Sequence, residues 1–220
     1  MKPVFFFLLN AIALWCLSSP ALSESRSAEN GKALYSSCIV CHGEHAEGNV
    51  AMSAPALSGQ SAAYLLRQLE HFKSGLRGAK PEDSAGAQMR GMVSVLKNSE
   101  EMNQVANYIA SLAITANSDS VEKQSEPKNS GDVRRGQNIY QGNCGACHGG
   151  KAEGNTLLNA PRLAGLDRGY IKQQMSLYQQ GLRGYDKADR FGQQMAMMAK
   201  TLSDDKSLDD VIAYIHQVNQ

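Results

Sequence analysis

One offset organises this chain. Subtracting 38 from 144 gives 106, and that separation pairs residues without a gap from Cys38 through Leu112. It brings Gly48-Asn49 onto Gly154-Asn155, Pro55 onto Pro161, Leu57 onto Leu163 and Tyr64 onto Tyr170. The run Gly75-Leu76-Arg77-Gly78 falls on Gly181-Leu182-Arg183-Gly184, Gln88-Met89 on Gln194-Met195, and Tyr108-Ile109 on Tyr214-Ile215. A period this long exceeds the ~20–50 residues of solenoid repeats, so the unit is a duplicated domain. The 220 residues hold two such domains. The register slips once, upstream of the cysteines: Gly31 to Cys38 is seven steps and Gly136 to Cys144 is eight.

Outside the repeat lie a leader and a joint. Lys2 precedes an apolar run from Val4 to Leu17, and small residues follow, with Ala21-Leu22-Ser23 fitting an export cleavage site. The run falls short of the ~20 residues a membrane-spanning helix needs, and no later stretch is apolar enough. Residues 1–23 therefore read as a signal peptide, which places the mature chain in the periplasm of a Gram-negative bacterium. Domain 1 is expected over 24–114 and domain 2 over 133–220. Between them, residues 115–132 are rich in Ser, Asn, Lys and Glu and lack apolar periodicity, so they read as a surface linker.

Within each copy the apolar spacing is helical. Met102, Val105, Ala106, Ile109 and Leu112 recur at helix intervals, as do Leu208, Val211, Ile212, Ile215 and Val218. Asn98-Ser99 and Ser203-Asp204 stand before them as caps. A middle helix carries Tyr64, Leu65, Gln68, Leu69 and Phe72, or Tyr170, Ile171, Gln174, Met175 and Tyr178, and Gly75 or Gly181 ends it. A shorter helix leads into each cysteine motif, around 32–37 and 137–142. No run alternates as a strand, so the fold class is all-α, with about three to four helices per copy. So small a core calls for a metal or cofactor as a staple.

The cysteine motifs supply a candidate. With the leader removed, the cysteines are Cys38, Cys41, Cys144 and Cys147, each pair followed by a histidine, His42 or His148. A redox dithiol needs a βαβ setting that is missing here, and structural zinc needs four ligands where each copy offers three. Covalent haem remains: both thiols add to the haem vinyl groups, and the histidine reaches the iron. The cofactors expected are two haem c groups, one per copy.

A sixth iron ligand must then come from elsewhere. His45, His71 and His216 face Lys151, Leu177 and Ala110 in the opposite copy, so none is duplicated, and they are expected at the surface or an interface. Methionine is duplicated twice, as Met89 with Met195 and Met92 with Met198. Either pair can supply thioethers, and any one of them can equally be core filler.

Two Cys-x-x-Cys-His domains in tandem, Gly-Asn after the motif, Pro-x-Leu-x-Gly, Gly-Leu-Arg-Gly and a late Met together resemble the dihaem cytochrome c4 family. Each half is similar to a class I cytochrome c domain, and the likeness runs from about Gly31 to Val218. In that family the axial Met stands seven residues before the Leu that precedes the last helix. Leu96 and Leu202 put it at Met89 and Met195. The resemblance further implies that Pro55 and Pro161 turn a loop whose carbonyl bonds the ligating histidine. It implies a close crossing of Gly31 or Gly136 with Tyr108 or Tyr214, and halves packed face to face.

The function implied is single-electron transfer with no enzymatic site. His and Met on each iron leave no position for substrate, and thioether ligation favours the reduced metal. The resemblance points to redox partners: a terminal oxidase, with the cbb3 type among the candidates, and an upstream donor such as a bc1 complex. Two other classes stand beside it, a haem subunit docked to a periplasmic dehydrogenase for sulfur compounds and a dihaem peroxidase-like enzyme.

Arg77 and Arg183 can pair with haem propionates or stand as solvated loop residues. Removing Lys2 from 22 basic residues leaves 21 against 21 acidic ones, so the mature chain has no polybasic surface for nucleic acid. It has no membrane span, and membrane association would be peripheral.

Overall fold

The computed structural model describes residues 20–114, 131–202 and 204–218, with side chains from Arg26 onward. The apolar leader run, including Cys16, and linker residues 115–130 lie outside the described residues. The first copy contains α1 (Pro20–Tyr35), α2 (Ile39–His42), α3 (Ala62–Ser74), α4 (Ser84–Val93) and α5 (Ser99–Ser111). The second repeats the series as α6 (Val133–Asn143), α7 (Gly145–His148), α8 (Arg168–Gln179), α9 (Arg190–Ala199) and α10 (Asp205–Gln217). Among the described residues no strand forms. The extended pairings among them are the isolated bridges Asn49–Ala54 and Asn155–Ala160.

The expected middle and last helices are present, with side-chain oxygens satisfying their first N–H groups. Asn98 Oδ1 accepts from Glu101 N at 3.0 Å, and Asp204 Oδ1 accepts from Ser207 N at 2.7 Å. The helices ahead of the cysteines are longer than the expected 32–37 and 137–142. α6 starts at a cap, Asp132, whose Oδ1 accepts from Arg134 N and Arg135 N. It buries only Gly136 and Tyr140, so its apolar pattern is too thin to read. α4 and α9 raise the count to five helices per copy. They too bury little, Gly86 and Val93 in one and Gly192 and Ala199 in the other. Their start is set by Asp83 and Asp189, which accept from Gly86 N (2.9 Å) and Gly192 N (2.8 Å).

Close backbone approaches fix how these helices sit. A Cβ on Gly31 would fall on the Gln104 carbonyl and within 2.8 Å of Tyr108 Cβ, so α1 and α5 cross as expected. In the second copy the closest approach is at the equivalent place: Gly136 abuts the carbonyl of Asp210, the repeat of Gln104. The Tyr140 and Tyr214 rings meet at 5.2 Å, as Tyr35 and Tyr108 do at 5.6 Å. The duplicated Gly-Leu-Arg-Gly ends on Gly78 and Gly184, with φ of 72° and 68°, pressed against the carbonyls of Gly86 and Gly192. Only glycine tolerates both the positive φ and the contact. Each copy has its own apolar core. One gathers Tyr35, Leu65, Phe72, Val93, Val105 and Ile109, and the other Tyr140, Ile171, Ala199, Val211, Ile212 and Ile215.

Candidate haem sites

The histidine of each motif is placed by one helical turn. His42 N bonds Cys38 O, and His148 N bonds Cys144 O, both at 2.9 Å. Cysteine and histidine four apart therefore share a helix face. Both imidazoles are buried, and burial pulls their pKa below the ordinary histidine value, so they are neutral at pH 7. Nδ1 of His42 lies 3.0 Å from Pro55 O, and Nδ1 of His148 lies 2.9 Å from Pro161 O. A carbonyl only accepts, so Nδ1 carries the proton and Nε2 is left with its lone pair.

The proline loop is itself strapped in place. Asn49 and Ala54 exchange backbone bonds of 2.8 and 3.0 Å, as Asn155 and Ala160 do at 3.0 Å each. The carbonyl of Ala46 accepts from Leu57 N and Ser58 N, and that of Ala152 from Leu163 N and Ala164 N. Tyr35 OH and Tyr140 OH, each fully buried, donate to Gly43 O and Gly149 O at 2.8 Å, pinning the turn after each histidine. Sequence reasoning missed these two tyrosines because they lie upstream of the slip. At the offset of 105 that joins Gly31 to Gly136, they align.

The four thiols are unpaired. Burial pushes Cys38 up from the ordinary thiol range, and Cys144 up to about 11. The two methionine pairs occupy different settings. Met89 and Met195 pack against the two cores, whereas Met92 is 41% exposed. Met198, like Met195, lines a cavity in the second domain, together with Cys144, Cys147, His148 and Pro161.

That cavity is completed by Tyr64, Arg67 and Gln68 from the first domain, so the halves form one unit. Gln60 holds the backbone of Arg162 in both directions, accepting at 3.1 Å and donating at 2.8 Å. Arg77 donates to Gln68, Tyr170 and Gln174, and Arg183 donates to Gln174 and Gln68. Positions 68 and 174, like 77 and 183, are 106 apart, so the repeat closes a two-fold ring across the junction. Both arginines are buried, which excludes the solvated-loop alternative. No carboxylate bonds either guanidinium among the described residues, and Nε of Arg77 and of Arg67 is buried without a partner. Buried donors of this kind suit an anionic group. The thiols, the free Nε2 atoms, the thioethers and these orphan donors together fit a covalently held haem.

The other histidines divide. His45 is exposed, and His71 sits at the junction with Nδ1 3.7 Å from Asp189 Oδ2. His216 is half-buried at the edge of the second domain, bonded to the Leu166 backbone, with Nε2 unpartnered.

Comparison with known proteins agrees with this architecture. The cytochrome c family matches residues 28–113 and again 133–219. Cytochrome c4 of Azotobacter vinelandii is 31% identical over 171 residues, covering 73% of this chain and 75% of that protein. The thiosulfate dehydrogenase electron acceptor of Stutzerimonas stutzeri A1501 is 30% identical over 224 residues, covering 94% and 95%. Reduced recombinant cytochrome c4 from Pseudomonas stutzeri superposes with a TM-score of 0.65 at 24% identity, over 86% of this chain and 96% of that one.

Proposed function

Since this chain belongs to the dihaem cytochrome c4 family, each half a cytochrome c domain with covalently bound haem c, we propose that it is a periplasmic single-electron carrier working toward a terminal oxidase. The haem supplies the redox couple, one electron held per iron. Cys38 and Cys41 tether the first, and Cys144 and Cys147 the second. Nε2 of His42 and of His148, and the thioethers of Met89 and Met195, would be the protein groups that hold the two irons. Pro55 O and Pro161 O hold each ring in orientation and raise its basicity. Arg77 and Arg183 bond propionates at the junction. Export follows cleavage after Ser23, giving domains over 24–114 and 133–220.

The observation that carries this reading is the duplicated bond between a buried histidine of the cysteine motif and a proline carbonyl. Were His and Met both to hold each iron, neither would offer a site for substrate, which disfavours the peroxidase class. Met89→Ala and Met195→Ala are each expected to remove half of the methionine-to-iron charge-transfer absorbance of the oxidised protein. A band intact in both variants shifts the assignment to Met92 and Met198, and peroxide turnover by the wild type overturns the pure-carrier reading.

A second reading has specific support. The relative matching nearly the full length is a thiosulfate dehydrogenase electron acceptor. The chain would then take its electrons from a periplasmic dehydrogenase for sulfur compounds, not from a bc1 complex. Stopped-flow reduction by each donor, followed by oxidation with membranes containing a cbb3-type oxidase, separates the routes.

A further inference from the structure

We propose that Arg67, a residue of the first domain, sets the potential of the second haem. The inference rests on the reading that the second-domain cavity holds that haem. Three charged side chains line the cavity: Arg67, Arg183 and Asp189. Two are matched by the repeat, Arg183 by Arg77 and Asp189 by Asp83, and both pairs keep their roles in the two copies. The cap and ring bonds recur in both copies, so neither pair singles out one half as an added charge would, although Asp189 also faces His71 at 3.7 Å. Arg67 is different, because its repeat position is Gln173. It is the unmatched charge on the wall.

Its geometry is that of a fixed charge. Nη1 donates to Asn159 Oδ1 at 3.1 Å and Nη2 to Asn159 O at 2.9 Å. The guanidinium lies 4.6 Å from the Phe191 ring centroid and 5.4 Å from that of Tyr64. Asn159 belongs to the loop running into Pro161, whose carbonyl bonds His148. Nε is buried with no acceptor, so the half-buried cation is partly withdrawn from water and not answered by a direct carboxylate bond. An oxidised iron carries one more positive charge than a reduced one, and a cation on the pocket wall opposes that charge. The second haem therefore holds its electron more tightly than the first, and electrons equilibrate toward the second domain. A unit charge at this kind of range, partly shielded, shifts such an equilibrium on the order of tenfold.

The test is a spectroelectrochemical titration of the holoprotein, with haem methyl NMR signals reporting the two couples separately. Arg67→Gln, which installs the residue of the other copy, is expected to lower the second couple by about tenfold in equilibrium constant, ~59 mV. The first couple should move much less. Arg67→Lys keeps the charge while losing the fork, and is expected to retain most of the separation. The inference is overturned if Arg67→Gln moves both couples equally or neither. It is also overturned if Lys behaves as Gln does, since the loop contact and not the charge would then matter. A pyridine haemochrome count of two haems per chain with no shift sinks this inference alone. A count below two sinks the reading beneath it as well.

Discussion

The two domains share a pocket, a proline strap and a methionine helix, yet the crossing that supports each pocket is built differently. In the first, α1 meets α5 where Gln104 bonds only the exposed Glu100 beside it. In the second, the residue at that position is Asp210, with no exposed surface. Its carboxylate takes Asp132 N at 2.6 Å, Arg135 at 3.2 Å and Lys206 at 3.2 Å. The same helix carries His216 in its last turn where the first copy has Ala110. Duplication kept the cysteine, histidine and proline positions, while the crossing behind them diverged. The second domain acquired buried charge that the first lacks.

The largest effect is expected at the crossings themselves. Gly31→Ala and Gly136→Ala each drive a methyl into a backbone carbonyl that cannot swing aside. Overpacking of this kind costs about 3 kcal/mol or more. Gly136→Ala should be the worse, because its neighbours are all backbone atoms whereas Gly31 also faces a side chain. Thermal unfolding of the two holoproteins orders them. A milder Gly136→Ala would mean the second crossing has more room than the first.

Next comes the charge behind the second crossing. Asp210→Asn keeps an acceptor for Asp132 N but breaks both ion pairs. Its cations are partly exposed, which discounts the loss to about 2 kcal/mol. Gln104→Ala should cost a few tenths, as a surface substitution does. Equal losses would erase the contrast between the domains. At the junction, Gln60→Ala removes two bonds to the Arg162 backbone, about 1–2 kcal/mol together. Its repeat position is Leu166, so no reciprocal bond compensates. Calorimetry should show one unfolding transition in the wild type and its separation in the variant.

Much of this contrast was hidden from sequence while the shared parts were plain. The offset of 106 exposed Cys38, Cys41, His42, Pro55 and both methionine pairs with their copies, and the carbonyl bond to each histidine shows why the proline recurs. The choice of Met89 over Met92 came from the family resemblance. The long helices were readable because α5 buries Met102, Val105, Ala106 and Ile109 at helical intervals. α4 and α9 were not, since a cap, two close glycines and one apolar residue hold them, and no periodicity marks that. Tyr35 and Tyr140 were lost to a one-residue slip. The buried state of Arg77 and Arg183 depends on a junction between residues about a hundred positions apart, which local pattern does not encode. How far His216 is covered was not legible either, because a lone polar residue on an apolar helix gives no sign of which neighbour lies against it.

The smallest effect depends on pH and turns on that histidine. Burial pulls His216 below the ordinary histidine value, and the nearby Arg168 cation adds to the shift. Folded, the ring stays neutral at a pH where the unfolded chain already takes up a proton. Stability therefore falls as pH drops below about 6.5 toward the folded value. Asp210 works in the same direction further down. Burial raises it, but the Asp132 N–H and the Lys206 and Arg135 cations outweigh that and hold it below the usual carboxylate range. Its contribution is present above the unfolded value and lost as pH falls through the folded one. The first domain has Ala110 and Gln104 at these two places and so lacks both terms. Hydrogen exchange on the holoprotein between pH 7.5 and 5.5 should show amides of α10 losing protection faster than those of α5. His216→Ala, which gives the second domain the residue of the first, should bring the two profiles together. If they stay apart, the acid sensitivity belongs to another group and the contrast at this position carries no weight in stability.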